Sequence, residues 1–278
     1  MSAKTKAAGM IPFVKAHAFG NDFLVIDEAL ARGNHAAMAQ KLCARNTSVG
    51  ADGIEFLDRR ADGTLFLRLF NADGSEAELS GNGTRCVAAW LAFSEEKNNV
   101  VLDTHGGPRA CKVVRQQGTK FDIESEMGVP QVIGRTLSLP RVGAVPGVVV
   151  NVGNPHFVIF VETEDFSAHG MSWQELGGII CTSPLFAQGT NVEFVRVLSN
   201  DEIAFRIYER GCGPTTSSGT GTCASAAASM ALGGCDREHM LTAFAEGGPQ
   251  YVSWPANDKP MRLTGPAEIV CVGEVAAL

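Results

Sequence analysis

Two short segments of this chain, Ser80-Gly81-Asn82-Gly83-Thr84 and Ser218-Gly219-Thr220-Gly221-Thr222, copy one another at a spacing of 138 residues. A hydroxyl held between glycines can take or give a proton when a neighbouring group activates it. A duplicated pair of such groups suits a reaction that inverts a carbon centre, because inversion needs one proton-transfer group on each face.

Each serine ends a polar loop, 71–83 and 209–221, that runs into an apolar stretch. The apolar stretches, 84–93 and its Ala-rich copy 222–232, read as helices buried around most of their circumference. A helix N-terminus leaves backbone N–H groups without intrahelical partners and carries positive dipole, so it binds anions and favours deprotonation nearby. Two such ends facing one another would cradle a carboxylate. The plainer reading makes Ser80 and Ser218 N-caps with glycine supplying tight backbone geometry, and the loops alone leave both readings open. His156 is the histidine beside a repeated block, and pairing with Glu209 would let it tune the proton-transfer group of the second copy. Cys86 and Cys223, about a turn or more past the serines, read as packing residues. Neither loop completes GxGxxG or GxxxxGK[ST], and no G-x-S-x-G elbow occurs, which speaks against nucleotide binding and serine hydrolase chemistry.

The elements that must position these groups repeat as well. Glu55-Phe56 matches Glu193-Phe194 and Arg68 matches Arg206 at the same spacing, while Gly20-Asn21 and Val25-Ile26 match Gly153-Asn154 and Val158-Ile159 at 133. Collinear blocks at so long a period indicate tandem copies of a whole domain rather than a solenoid. Strands are predicted at 13–15 and 23–27 around a Gly20-Asn21 turn, and at 54–57, 65–70, 148–152, 157–161 and 192–197. A helix is predicted at 36–45 with Asn34 as N-cap. Residues 128–146 hold three prolines and little pattern, which sets the boundary near 138: an N-terminal domain 1–138 and a C-terminal domain 139–278, whose last residues return to the first.

With 278 residues, 45% of them apolar, the chain has material for two packed domains. Its net charge of −7 and lack of basic runs argue against nucleic acid or an anionic membrane and for a small-molecule partner. Residues 1–10 lack an apolar signal core and no run is long enough to span a bilayer, so the expected location is cytoplasmic and the eight cysteines are expected to be reduced. Six histidines show no metal-ligand spacing, and no metal is expected.

His17-Ala18-Phe19-Gly20-Asn21-Asp22-Phe23, Gly50-Ala51-Asp52-Gly53, the stretch 71–86, Gly153-Asn154-Pro155-His156 and the stretch 209–224 together resemble the diaminopimelate epimerase family over nearly the whole chain. The resemblance implies an α/β fold of the α+β type: two pseudo-symmetric duplicated domains, each a curved mixed sheet wrapped around a central helix. It also implies a cofactor-free site in a cleft and a homodimer. In that family two cysteines exchange a proton at the α-carbon to interconvert LL- and meso-diaminopimelate, without pyridoxal phosphate, for lysine and peptidoglycan synthesis. Those cysteines fall on Ser80 and Ser218 here. The substrate-binding positions implied by the resemblance are Asn21, Asn71, Asn154, Asn191, Glu209 and Arg210, with the backbone N–H groups of Gly81, Asn82, Gly219 and Thr220 holding the reacting carboxylate. Arg210 would take the distal carboxylate in a charge-assisted bond. Pro214 is a second departure, where the family usually carries Glu. Three readings stand: a two-serine epimerase, a chain whose thiols have been exchanged so that it binds a diaminopimelate-like amino acid without turnover, or a relative using the same site for another isomerisation or a dehydration.

Overall fold

The computed structural model describes residues 9–276, so most of the segment read for a signal core lies outside the described residues. The chain forms two compact units: one runs to Ser125 and takes back the segment from Pro266 onward, and the other is Glu126–Gly265. In chain order the first unit carries β1 (Met10–Ala18), β2 (Asn21–Asp27), α1 (His35–Leu42), β3 (Gly53–Arg59), β4 (Leu65–Asn71), β5 (Glu76–Ala77), α2 (Gly81–Glu95), β6 (Asn99–Asp103) and β7 (Arg109–Gln117), and β8 (Lys120–Gly128) runs across the boundary. There follow β9 (Gln131–Leu139), β10 (Gly143–Asn151), β11 (Pro155–Phe160), α3 (Trp173–Cys181), β12 (Asn191–Val197), β13 (Glu202–Glu209), β14 (Gly213–Thr215), α4 (Gly219–Ala231), β15 (Leu241–Ala245), β16 (Gly248–Ser253) and β17 (Met261–Ala276).

The strand pairings show the duplication directly. In the first unit β1–β2 is antiparallel, β2–β3 parallel, β3–β4 and β4–β5 antiparallel, β4–β6 parallel and β6–β7 antiparallel. In the second, β10–β11, β11–β12, β12–β13, β13–β14, β13–β15 and β15–β16 repeat that series with the same senses. The parallel pairs need a crossover, and α1 supplies it between β2 and β3 as α3 does between β11 and β12.

Each mixed sheet curves around one helix, as the resemblance implied. The α2 helix packs on β1, β2, β6 and β7, and α4 on β10 through β13, β15 and β16. The sequence permits this because both helices are built from small residues. From Thr222 to Met230, α4 is wholly buried and mostly Ala, Ser and Thr, so the surrounding strands approach closely. Val148, Val150, Val158, Val195, Phe205 and Leu241 close over it with 1% exposure or less. Burial of each such side chain is worth about 1.5–3 kcal/mol. Cys86 and Cys223 are fully buried in this packing, and burial pushes the Cys86 thiol well up.

Local expectations hold with shifted ends. Asn34 caps α1 by accepting from the Ala37 N–H, but the helix stops at Leu42 because Gly50 and Ala51 donate back to Leu42 and Cys43. The first turn is Phe19-Gly20, both with positive φ (54° and 81°), leaving Asn21 as the first residue of β2. Positive φ at both central residues matches the twist of a tight hairpin. The structural boundary falls between Ser125 and Glu126 rather than near 138. Residues 131–151 are a regular β9–β10 hairpin, in which Pro140 falls just after β9 and Pro146 is accommodated opposite Thr136. Prolines there punctuate a hairpin and do not mark the domain boundary.

Candidate active site

Ser80 and Ser218 are the N-caps of α2 and α4. Ser80 Oγ accepts the Gly83 N–H at 3.0 Å and Ser218 Oγ accepts the Gly221 N–H at 3.2 Å. Both residues have extended backbone, the ordinary cap geometry. The capping bond leaves each hydroxyl proton free to be donated. It also sets each oxygen at the positive end of a helix dipole, where developing negative charge is stabilised. Gly81, Asn82, Gly219 and Thr220 occupy the first two helical positions, whose N–H groups have no partner within the helix.

In the first unit Asn21 and Asn82 meet directly: Asn82 Nδ2 donates to Asn21 Oδ1 at 3.0 Å, and Asn21 Nδ2 donates to Asp52 Oδ2 at 2.8 Å. Behind Asn82 lies the fully buried Arg85, whose guanidinium donates to Asn82 Oδ1 at 2.5 Å. Asp52 is held in turn by Arg45, which also pairs with Asp22. Burial works against the Asp22 carboxylate, yet hydrogen bonds from Arg45 and Lys15 hold its carboxyl below the usual range. Asn71, at the end of β4, donates to Ser75 Oγ at 2.9 Å.

The second unit is built differently around the same scaffold. Glu209, at the end of β13, stands where the repeat places Asn71. It accepts from Thr215 Oγ1 at 2.5 Å. Burial pushes the Glu209 carboxyl up, against the hydrogen bonds of Thr215 and Ser218. A carboxyl beside the Ser218 hydroxyl with its proton affinity raised is suited to act as a base. Asn191, at the start of β12, accepts the Arg210 backbone N–H at 2.9 Å, and the Arg210 guanidinium donates to Gln188 O. His156 makes its hydrogen bonds elsewhere than to Glu209, with Nδ1 2.6 Å from Glu193 Oε1 and Nε2 2.9 Å from Asn154 Oδ1, and acts on Glu209 only through space, drawing its carboxyl down against the effect of burial. The cause is strand register. In the parallel β11–β12 pair His156 lies opposite Asn191, and Glu193, two residues further along β12, points to the same face. Asn154 continues the chain by donating to Thr220 Oγ1 at 3.3 Å.

Reading the chemistry-bearing residues from sequence missed the buried glutamates beneath both helix ends, although the Glu55-Phe56 and Glu193-Phe194 repeat was their signal. Glu55 and Glu193 are 2% and 0% exposed, and Glu55 Oε1 and Glu193 Oε2 have no hydrogen-bond partner among the described residues. Burial raises both carboxyls, Glu55 to about 8. Glycine at the third helical position makes room for them. A Cβ on Gly83 would overlap Glu55 Oε1, whereas one on Gly221 would come 2.5 Å from the Ile207 Cδ1 tip and 3.1 Å from Glu193 Oε1. Gly83→Ala is therefore expected to lower the unfolding free energy by about 3 kcal/mol in urea titration, well beyond the ~1 kcal/mol helix gain from alanine. Glu55→Ala in the same chain should recover part of the loss, and a Gly83→Ala protein as stable as its parent would refute this packing. Among the described residues no group of three or more His, Cys, Asp or Glu is placed to hold a metal ion.

Known proteins are similar to this chain in sequence and in fold. A family profile described as diaminopimelate epimerase matches residues 13–133 and 148–270. The diaminopimelate epimerase of Pelotomaculum thermopropionicum is 36% identical over 280 residues, covering 94% of this chain and 98% of its own. Among solved structures, a PhzF-family phenazine biosynthesis protein of Bacillus anthracis superposes with a TM-score of 0.71 at 17% identity, covering 96% of this chain and 99% of its own. A hydroxyproline epimerase of Agrobacterium vitis superposes at 0.70 and 14%, covering 98% and 93%. Identities so low establish the shared fold and no more, but the sequence matches reach further: this chain belongs to the diaminopimelate epimerase family, a family of isomerases.

Proposed function

We propose that the chain interconverts LL- and meso-diaminopimelate by moving a proton at the α-carbon, with Ser80 and Ser218 as the two exchanging groups. The observation that carries this reading is the shared cap geometry: each serine oxygen receives a helix N-terminal N–H, at equivalent points of the two repeats. On this reading the N–H groups of Gly81, Asn82, Gly219 and Thr220 hold the reacting carboxylate, and Arg210 takes the distal one. Asn21, Asn71, Asn154 and Asn191 orient the amino acid, and Glu209 draws the proton from Ser218. The side chains supply the proton transfers without pyridoxal phosphate, and the product feeds lysine and peptidoglycan formation. A homodimer belongs to the same proposal.

One observation favours a second reading, a binder of a diaminopimelate-like amino acid with little or no turnover. Ser80 makes its one side-chain hydrogen bond, among the described residues, with the Gly83 N–H, and the position matching Glu209 is Asn71, which is no base. Proton NMR of LL-diaminopimelate with the protein in D₂O separates the two. The expected result is slow loss of the α-proton signal with appearance of the meso isomer, abolished by Ser80→Ala and by Ser218→Ala. Exchange without inversion that survives Ser80→Ala would mean that Ser218 and Glu209 work alone. Calorimetric binding with no exchange would establish the binder.

A further inference from the structure

Glu193, His156, Asn154 and Thr220 form one hydrogen-bonded chain from the buried core to the second residue of α4. Such a chain can run in two senses. In one, Glu193 keeps its proton and donates to His156 Nδ1, His156 Nε2–H donates to Asn154 Oδ1, and Asn154 Nδ2–H donates to Thr220 Oγ1. The Thr220 hydroxyl has then accepted from within and its own proton is free to point outward. In the other, Glu193 is ionised, His156 carries its proton on Nδ1, the Asn154 amide is turned over, and the Thr220 hydroxyl donates inward. Thr220 would then offer only lone pairs at a site proposed to hold a carboxylate.

We propose that Glu193 is a positioning residue that, through His156 and Asn154, fixes the outward sense and so turns the Thr220 hydroxyl into a donor for a substrate carboxylate oxygen. Geometry selects this sense. Glu193 is fully buried, and its second oxygen has no hydrogen-bond partner among the described residues. An unpartnered carbonyl oxygen of a neutral acid is far less costly there than an unpartnered carboxylate oxygen. Burial raises the Glu193 carboxyl, and the Glu209 carboxyl adds to the rise against the opposing influence of His156. The amide placement that puts Asn154 Oδ1 against His156 and Nδ2 against Thr220 belongs to the outward sense.

The first unit uses the same asparagine position the other way round. There Asn21 turns its carbonyl toward the helix, accepting from Asn82 in the second position of α2, and its amide N–H toward Asp52. Asn154 turns its N–H toward Thr220. The difference tracks the residue two places on, Phe23 against His156, whose imidazole and carboxyl partner dictate the Asn154 orientation.

The inference rests on the proposed reading that the α4 end takes a carboxylate, and its test separates the two. Nitrogen-15 NMR of histidine-labelled protein, with His156 assigned by its loss in His156→Gln, reads the tautomer without any ligand. The expected spectrum has the ring proton on Nε2, and a proton on Nδ1 alone would overturn the proposal whether or not the protein binds anything. Calorimetry with meso-diaminopimelate then measures the consequence. Glu193→Ala should weaken binding about tenfold, the cost of one misdirected buried hydrogen bond, while Glu193→Gln, which can donate N–H to Nδ1, stays near the parent. In a Thr220→Val background Glu193→Ala should have little further effect. Equal losses with and without the Thr220 hydroxyl would make Glu193 a purely structural residue and sink the idea. Should Glu193→Ala fail to fold, the tautomer and Glu193→Gln still decide. Absence of binding by the parent would count against the proposed function alone.

Discussion

Replacing Ser80 and Ser218 together by cysteine is expected to raise LL/meso interconversion by roughly 10²–10⁴-fold, the range a well-placed proton-transfer group contributes. The cap geometry is the reason. Each oxygen already accepts a helix N-terminal N–H, from Gly83 at 3.0 Å and from Gly221 at 3.2 Å. A thiol in that place has a free value near 8.5 and is lowered further by a helix N-terminus, so it is partly or wholly thiolate at neutral pH. A serine hydroxyl in the same field stays protonated unless a base removes its proton. Ser218 has Glu209 for that task, and among the described residues Ser80 has no carboxyl hydrogen-bonded to it, so Ser80→Cys alone should gain more than Ser218→Cys alone. Neither single change should approach the double, because inversion requires both groups to work. Loss of the α-proton signal in D₂O and appearance of the second isomer measure all three variants. No gain in the double variant would mean that the residues around the serines serve another isomerisation or a dehydration.

The sequence made the duplication, the two buried helices and the capping serines readable because each rests on local signals. Small and polar residues at fixed places announce a helix start, and a long apolar run without a polar face announces burial. The α1 cap at Asn34 was legible for the same reason. What could not be read depends on which strand lies beside which. His156 was expected to pair with Glu209, but β11 runs parallel to β12 and hydrogen-bonds it to Glu193 instead, leaving only a through-space influence on Glu209. The stretch 128–146 reads as a domain boundary because it holds three prolines and little pattern, and strand pairing supplies the order that the residues do not show. Glu55 and Glu193 repeated in plain view. Their importance emerges only when each is found against the glycine that makes room for it.

Glu55 also gives the protein a pH-dependent stability that a carboxylate-poor core would lack. Its carboxyl is raised to about 8 by burial, while in the unfolded chain it titrates near the ordinary 4.5. Between those values the folded protein holds a proton that the unfolded chain has released, so the unfolded state binds fewer protons and stability falls as pH rises. The stabilising contribution of the neutral acid is complete below about pH 4.5 and is lost progressively up to about pH 8. Across the steep part of that window the loss is ~1.4 kcal/mol per pH unit. Glu193 and Glu209 are shifted in the same direction and add to the slope. Glu55→Gln keeps the side-chain shape beside Gly83 and cannot ionise. It should flatten the dependence, leaving the variant more stable than the parent at pH 8 by several kcal/mol relative to their difference at pH 5. Urea unfolding of both proteins at the two pH values measures this double difference. A parent whose stability is unchanged or rises from pH 5 to pH 8, or a Glu55→Gln variant with the parent's full slope, would show that the Glu55 carboxyl finds a charge-stabilising partner and does not stay neutral beneath the α2 N-terminus.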